Sequence, residues 1–165
     1  MKNRILSHQQ IEYKIERIAY QIYEANVDEK QLVIAGIAGG GLKFAEKIRK
    51  VLQKITGAEI LLCQVTMDKK NPLESGIQTS IPEKEYRNKS VVLVDDVLNS
   101  GNTLIYGVRH FLNTPLKQLK TAVLVNRNHK KFPVKADYKG ISLSTSLQEH
   151  ITVEFRAKND GVYLD

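Results

Sequence analysis

Two adjacent aspartates, Asp95 and Asp96, end the apolar run Val91-Val92-Leu93-Val94, and the turn Asn99-Ser100-Gly101-Asn102-Thr103 follows almost at once. Two ionised carboxylates side by side repel, so such a pair persists only where a ligand binds it or water reaches it. Hydroxyl groups, Mg²⁺, or both are the candidate ligands. Behind the pair, the turn opens a helical stretch whose backbone N–H groups, with the hydroxyls of Ser100 and Thr103, suit a phosphate. Carboxylates for hydroxyls beside a helix N-terminus for a phosphate make a site for a sugar phosphate. The plainer reading, a strand ending in a solvated Asp-Asp turn, is disfavoured because five features fall in order.

A second candidate is the glycine turn Gly36-Ile37-Ala38-Gly39-Gly40-Gly41. It has the outer spacing of a Walker A loop, but Leu42 and Lys43 stand where Lys and Ser or Thr belong, and Phe44 replaces the third glycine of a dinucleotide fingerprint. What remains is a flexible row of N–H donors suited to an anion, or a simple strand-to-helix turn with no ligand. His8, His110 and His150 have no metal-ligand spacing with each other or with the single cysteine, Cys63, which lies in an apolar run and reads as a buried, inert thiol.

Positioning these groups requires a repeated strand and helix frame. Ser7-His8-Gln9-Gln10 has the form of a capping box, and Ile11, Ile15, Ile18 and Ile22 recur at helical spacing. Residues 31–36 read as a buried strand, 42–55 as a helix with Leu42, Ala45, Ile48, Leu52 and Ile55 on one face, and 58–67 as a second strand. Residues 68–89 hold two prolines, a glycine and many charges without a sustained period, the pattern of a long mobile loop. Residues 90–95 read as a third strand, 102–113 as a helix, 120–126 as a fourth strand and 151–155 as a late one. That order predicts an α/β protein with a parallel sheet and helices on both faces, its ligand at the carboxyl edge of the strands. The glycine turn, the carboxylate pair and Asn126-Arg127-Asn128-His129 all reach that edge.

The chain has 165 residues and 18.7 kDa, the size of one ordinary domain, with 42% hydrophobic and 26% charged residues. No apolar run approaches a membrane span, and the N-terminus turns polar too early for a secretory signal, so a cytoplasmic location is expected. A net charge of +7 and a pI near 9.4 suit polyanionic partners without choosing among phosphates, nucleotides and nucleic acid.

The stretch VVLVDDVLNSGNTL resembles the phosphoribosyl-pyrophosphate (PRPP) motif of the type I phosphoribosyltransferases. By that resemblance Asp95 and Asp96 hold the ribose hydroxyls and, through them or through water, Mg²⁺. Asn99, Ser100, Gly101, Asn102 and Thr103 hold the 5′-phosphate. Ala38, Gly39 and Gly40 correspond to the pyrophosphate loop. Within the family the chain is most similar to the bifunctional pyrimidine-operon regulator and uracil phosphoribosyltransferase, whose loop carries Lys and Arg where Ala38 and Gly40 stand here. Loss of both charges weakens the expected grip on pyrophosphate. Lys69 and Lys70 match a basic residue of the family's mobile loop that reaches pyrophosphate, with a solvated charged loop as the alternative.

The stretch from Val123 to Phe155 resembles the regulator's C-terminal segment, with Asn126-Arg127-Asn128-His129 in place of its Asp-Arg-Gly-His. The resemblance implies a nucleobase contact from Arg127 with Asn126 beside it, and less directly from Lys139; His129 reads as a base contact, a proton relay or a surface group. Hypoxanthine and guanine enzymes carry Asp where Asn99 stands, facing purine N7; an amide can still hydrogen-bond but cannot act as an ionised base, which favours a pyrimidine or an unassigned base. The resemblance further implies a mostly parallel twisted sheet flanked by helices, one domain over residues 1–165 with a mobile loop at 68–89 and a small hood built from the termini, PRPP and a nucleobase as substrates, Mg²⁺ as cofactor, and a homodimer. An RNA-binding regulator that senses PRPP or nucleotide is the alternative, supported by the charge and by the grouping of Lys130, Lys131, Lys135, Lys139 and Tyr138.

Overall fold

The structure, a computed structural model, describes residues 2–165. Strand β1 (Asn3–Leu6) leads into helix α1 (His8–Glu24). The capping box forms: Ser7 Oγ accepts from Gln10 N–H at 3.2 Å and Gln10 Oε1 accepts from Ser7 N–H at 2.9 Å, which satisfies donors that a helix start leaves unpaired. Ile11, Ile15, Ile18, Ala19 and Ile22 bury one stripe of α1.

Strand β2 (Gln31–Ile37), helix α2 (Gly40–Ile55) and strand β3 (Glu59–Thr66) follow, then a short helix α3 (Pro72–Ser75) and a two-residue strand β4 (Gln78–Thr79). Strand β5 (Ser90–Leu98), helix α4 (Asn102–Phe111), strand β6 (Gln118–Arg127) and strand β7 (Tyr138–Leu143) complete the main sheet, whose order is β4-β3-β2-β5-β6-β7. All its pairings are parallel except β3 with β4. Strands β8 (Ile151–Glu154) and β9 (Gly161–Leu164) pair antiparallel and join β1 in a separate sheet of order β1-β9-β8.

Successive residues of the central strands point to opposite faces, and both faces are covered. Ile34, Val92, Val94 and Leu124 pack with α1 and with Phe44, Ala45, Ile48 and Leu52 of α2, whereas Val33, Ala35, Leu93 and Val123 pack with Leu104 and Phe111 of α4. This double burial explains why the strands read as unbroken apolar runs. Cys63 sits in the second core, free and buried, and burial pushes its thiol pKa up, as an inert thiol requires.

Several elements differ from their sequence readings. The third strand does not stop at Asp95 but runs to Leu98, so the carboxylate pair lies within it, held by pairing of Val97 and Leu98 with β6. Helix α2 starts at Gly40, two residues early, and buries Phe44 while Leu42 is only half-buried. Residues 68–89 carry local structure too short to show a period: Asp68 Oδ1 accepts from Lys70 N–H at 3.0 Å, Pro72 opens α3, and Ser80 Oγ accepts from Gln64 N–H at 2.8 Å. Strands β1, β7 and β9 had no sequence signal, being four to six residues long with mixed polarity. Among the described residues no helix is long and apolar enough to cross a membrane.

Candidate functional site

At the carboxyl end of β5 a cavity of ≈ 250 Å³ is lined by Lys69, Asp95, Asp96, Val97, Leu98, Asn99, Ser100, Gly101, Asn102, Thr103, Leu104, Val123 and Ile151. The acidic pair, the whole Asn99-to-Thr103 turn and Lys69 therefore meet in one place. Lys70, Ala38, Gly39, Gly40, Asn126 and Arg127 are not among the lining residues.

The turn is shaped by Gly101, which precedes α4 with φ +85°, a left-handed conformation that glycine adopts without strain. A Cβ there would lie 2.7 Å from Val134 Cγ1. Ser100 C=O accepts from Lys131 N–H at 2.8 Å and Phe132 N–H at 3.1 Å, so the segment after β6 buttresses the turn from behind. The first N–H groups of α4 have no partner within the helix and lie beside the cavity, with the positive end of the helix dipole. Asn102 Nδ2 donates to Lys69 C=O at 3.3 Å, tying the 68–89 segment to the turn.

Asp95 is 5% exposed. Its carboxyl is pushed up to about 8, first by burial and then by the charge of Asp96, with Lys69 opposing. Asp95 Oδ1 accepts from Asp96 N–H at 2.9 Å, and Asp96 Oδ1 from Val97 N–H at 2.8 Å. The start of α2 packs against the same pair: a Cβ at Gly40 would lie 2.6 Å from Asp96 Cγ, and one at Gly41 3.0 Å from Asp95 Oδ1. The two glycines are thus needed for close approach, a use that spacing in the sequence did not reveal. Gly39, at φ +96°, lets the chain enter that helix, and Ala38 N–H donates to Val65 C=O at 2.8 Å.

Arg127, 7% exposed at the end of β6, donates to Asn99 Oδ1 at 3.0 Å, Thr145 Oγ1 at 2.9 Å, His129 Nδ1 at 3.4 Å, Ser146 C=O at 3.2 Å and Glu149 C=O at 2.7 Å. His129 Nε2 donates to Thr145 C=O at 2.5 Å, which leaves Nδ1 as the acceptor for Arg127. Asn126 Nδ2 donates to Ser142 Oγ at 3.3 Å, and Asn126 Oδ1 is buried with no partner. Lys139 is exposed, with its carbonyl receiving Arg17 at 3.0 Å. Ile151, which closes the cavity from β8, was missed in the sequence because nothing local connects it to a site fifty residues away.

Two carboxylates, one cation, a helix N-terminus and one apolar wall can hold a polyhydroxylated phosphate ester. Among the described residues no three His, Cys, Asp or Glu side chains gather as a metal cage. Two carboxylate oxygen donors fit a hard cation that takes its remaining ligands from water and phosphate, the usual manner for Mg²⁺.

The phosphoribosyl transferase domain model matches residues 1–159 of the chain. The Bifunctional protein PyrR of Streptococcus pneumoniae is 32% identical over 149 residues, which span 88% of this chain and 86% of that protein. Among solved structures, a hypoxanthine-guanine phosphoribosyltransferase from Bacillus anthracis superposes with a TM-score of 0.73 at 20% identity, covering 86% of this chain and 82% of that one. A hypoxanthine phosphoribosyltransferase of Trypanosoma cruzi gives 0.76 at 16% identity, covering 97% and 95%. These structures share the fold.

Proposed function

The chain belongs to the phosphoribosyl transferase domain family, and from that premise we propose that it transfers ribose 5-phosphate from PRPP to a nucleobase, uracil being the favoured acceptor. The convergence of Asp95, Asp96 and the Asn99-to-Thr103 turn in one cavity carries this reading. At ≈ 250 Å³ the cavity is below the roughly 300–1,000 Å³ of a site for a drug-sized ligand, which suits the sugar phosphate and leaves the base at its rim.

In this reading the N–H groups and hydroxyls of the turn bind the 5′-phosphate, and Asp95 and Asp96 hold the ribose hydroxyls. A base nitrogen attacks the anomeric carbon as its bond to pyrophosphate breaks, with inversion, and the nitrogen's proton passes to solvent. Asp95 and Asp96, through the ribose hydroxyls or water, would hold Mg²⁺, which would supply charge neutralisation for pyrophosphate. Lys69 faces the same carboxylates and supplies positive charge near the leaving group that Ala38 and Gly40 cannot; Lys70 adjoins it. Ala38, Gly39 and Gly40 offer backbone donors to pyrophosphate, and Asn126 and Arg127 border the base end. Closure of the 68–89 segment over PRPP excludes water, and a three-stranded sheet of the two chain ends forms the hood. A homodimer accompanies this reading by family analogy.

A second reading is a regulator that retains the pocket as a sensor of PRPP or nucleotide and binds RNA. Exposed Lys130, Lys131, Lys135 and Lys139, the uncharged glycine turn and the relatives' bifunctional designation favour it. Pyrophosphate release from PRPP and Mg²⁺ with each of uracil, hypoxanthine, guanine, xanthine and adenine separates the two. Base-dependent release abolished by Asp95→Asn/Asp96→Asn is expected. No release with any base, while PRPP still raises the melting temperature, would replace the enzyme with the sensor.

A further inference from the structure

Arg127 is a buried cation with no ion pair among the described residues. Its five contacts are all to uncharged acceptors, and they join two parts of the chain that are distant in sequence: Asn99, which lines the cavity, and residues 145–149, which lead directly to Ile151, another lining residue. A guanidinium can only donate, so the end of the Asn99 amide that faces it at 3.0 Å must be the oxygen. The other end of the amide, Nδ2, has no protein acceptor among the described hydrogen bonds, and the Asn99 side chain is exposed on the cavity.

We propose that Arg127 is a positioning residue for the base end of the site: by holding Asn99 Oδ1 it turns the Asn99 NH₂ group toward the ligand, so that the site selects a nucleobase edge presenting a hydrogen-bond acceptor. The inference rests on the phosphoribosyltransferase reading and refines it, moving Asn99 from the phosphate to the base. The chemistry of the walls supports that move. The 5′-phosphate has the N–H groups and hydroxyls of residues 100–103 and the ribose has two carboxylates, which leaves the Asn99 amide and the apolar lining side chains, Ile151 among them, for the base. An apolar face with one directional polar group suits a flat heterocycle. A carbonyl oxygen or an unprotonated ring nitrogen of the base satisfies the amide; a ring N–H at the same place would leave two donors facing each other.

The same contacts explain why Arg127 can be buried without a carboxylate. Nε donates to Thr145 Oγ1, Nη1 to Asn99 Oδ1, and Nη2 is shared among His129 Nδ1 and the carbonyls of Ser146 and Glu149, so the charge is solvated by protein dipoles, three of them from the 145–149 loop it must hold. Lysine, a point charge on a flexible stem, cannot span Asn99 and the carbonyls of Ser146 and Glu149 together.

The test is a double-mutant cycle read by ligand binding. Dissociation constants are measured calorimetrically for uridine 5′-monophosphate, inosine 5′-monophosphate and ribose 5-phosphate with the wild-type protein, Asn99→Ala, Arg127→Lys and the double variant. Each single variant should weaken the preferred nucleotide roughly tenfold, the loss of one directional hydrogen bond, while ribose 5-phosphate changes less than about twofold. The double variant should be no weaker than Asn99→Ala, because Arg127 acts through that amide. Losses that multiply in the double variant, or ribose 5-phosphate falling in step with the nucleotide, would overturn the assignment and make Arg127 a structural group or Asn99 a phosphate ligand. If Arg127→Lys fails to fold, Asn99→Asp decides: its carboxylate pairs with Arg127 but offers the base only acceptors. The preference for nucleotide over ribose 5-phosphate must then fall at least as far as in Asn99→Ala, and an unchanged preference would refute the proposal. Wild-type protein that binds none of the three ligands would instead sink the sugar-phosphate reading itself.

Discussion

Replacing Asp95 by Asn should stabilise the free protein at alkaline pH while impairing its ligand binding. Burial and the neighbouring Asp96 push the Asp95 carboxyl from 3.8 up to about 8, so between those values the folded chain keeps a proton that the unfolded chain has released. The folded state binds more protons across that window, and stability therefore declines as pH rises from about 4 to about 8. At about 1.4 kcal/mol per pH unit the full window is worth on the order of 5 kcal/mol, a large part of the stability of an ordinary domain. Asn is nearly isosteric, cannot ionise and can still accept from Asp96 N–H as Asp95 Oδ1 does at 2.9 Å. Urea unfolding of both proteins at pH 5, 6, 7, 8 and 9, with the slope checked for constancy, measures the difference. The variant should gain on the wild type by at least about 2 kcal/mol between pH 5 and pH 9. A stability difference that stays flat over that range would show that Asp95 is ionised throughout, with its charge carried by Lys69 or by solvent, and the burial argument would fail.

Binding of Mg²⁺ with PRPP to the wild-type protein should release a proton below pH 8, seen as a dependence of calorimetric enthalpy on buffer ionisation that disappears in Asp95→Asn. Gly40→Ala drives a methyl into the Asp96 carboxylate and should weaken ribose 5-phosphate at least about tenfold with a stability loss below about 1 kcal/mol, measured by calorimetry and urea unfolding. Gly101→Ala meets both a left-handed backbone and Val134 Cγ1, and should cost about 1–3 kcal/mol along with phosphate binding. Lys69→Met removes the cation that opposes the Asp95 shift, so the alkaline stability loss should move to higher pH, and PRPP should lose more affinity than ribose 5-phosphate.

What the sequence by itself determined was whatever local chemistry or periodicity expresses. The capping box at Ser7, the isoleucine stripe of α1 and the apolar runs of β2, β5 and β6 are readable because hydrogen bonding and burial act within a few residues of each other. The acidic pair and the turn after it, contiguous in the chain, were legible for the same reason, and the resemblance they carry agrees with the family to which the chain belongs. Other features needed the tertiary structure. Strands β1, β7 and β9 are stabilised by partners far along the chain and by little of their own pattern. The proximity of Gly40 to Asp96, of Asn102 to Lys69 and of Ile151 to the cavity at Asp95 and Asp96 joins residues tens of positions apart. Arg127 illustrates the division: the resemblance singled it out as a polar group, but only its geometry shows its three nitrogens donating to Asn99, His129 and the 145–149 segment. A side chain's type limits what it can do, whereas the direction of its hydrogen bonds depends on which distant acceptors the packed strands bring within 3 Å or so.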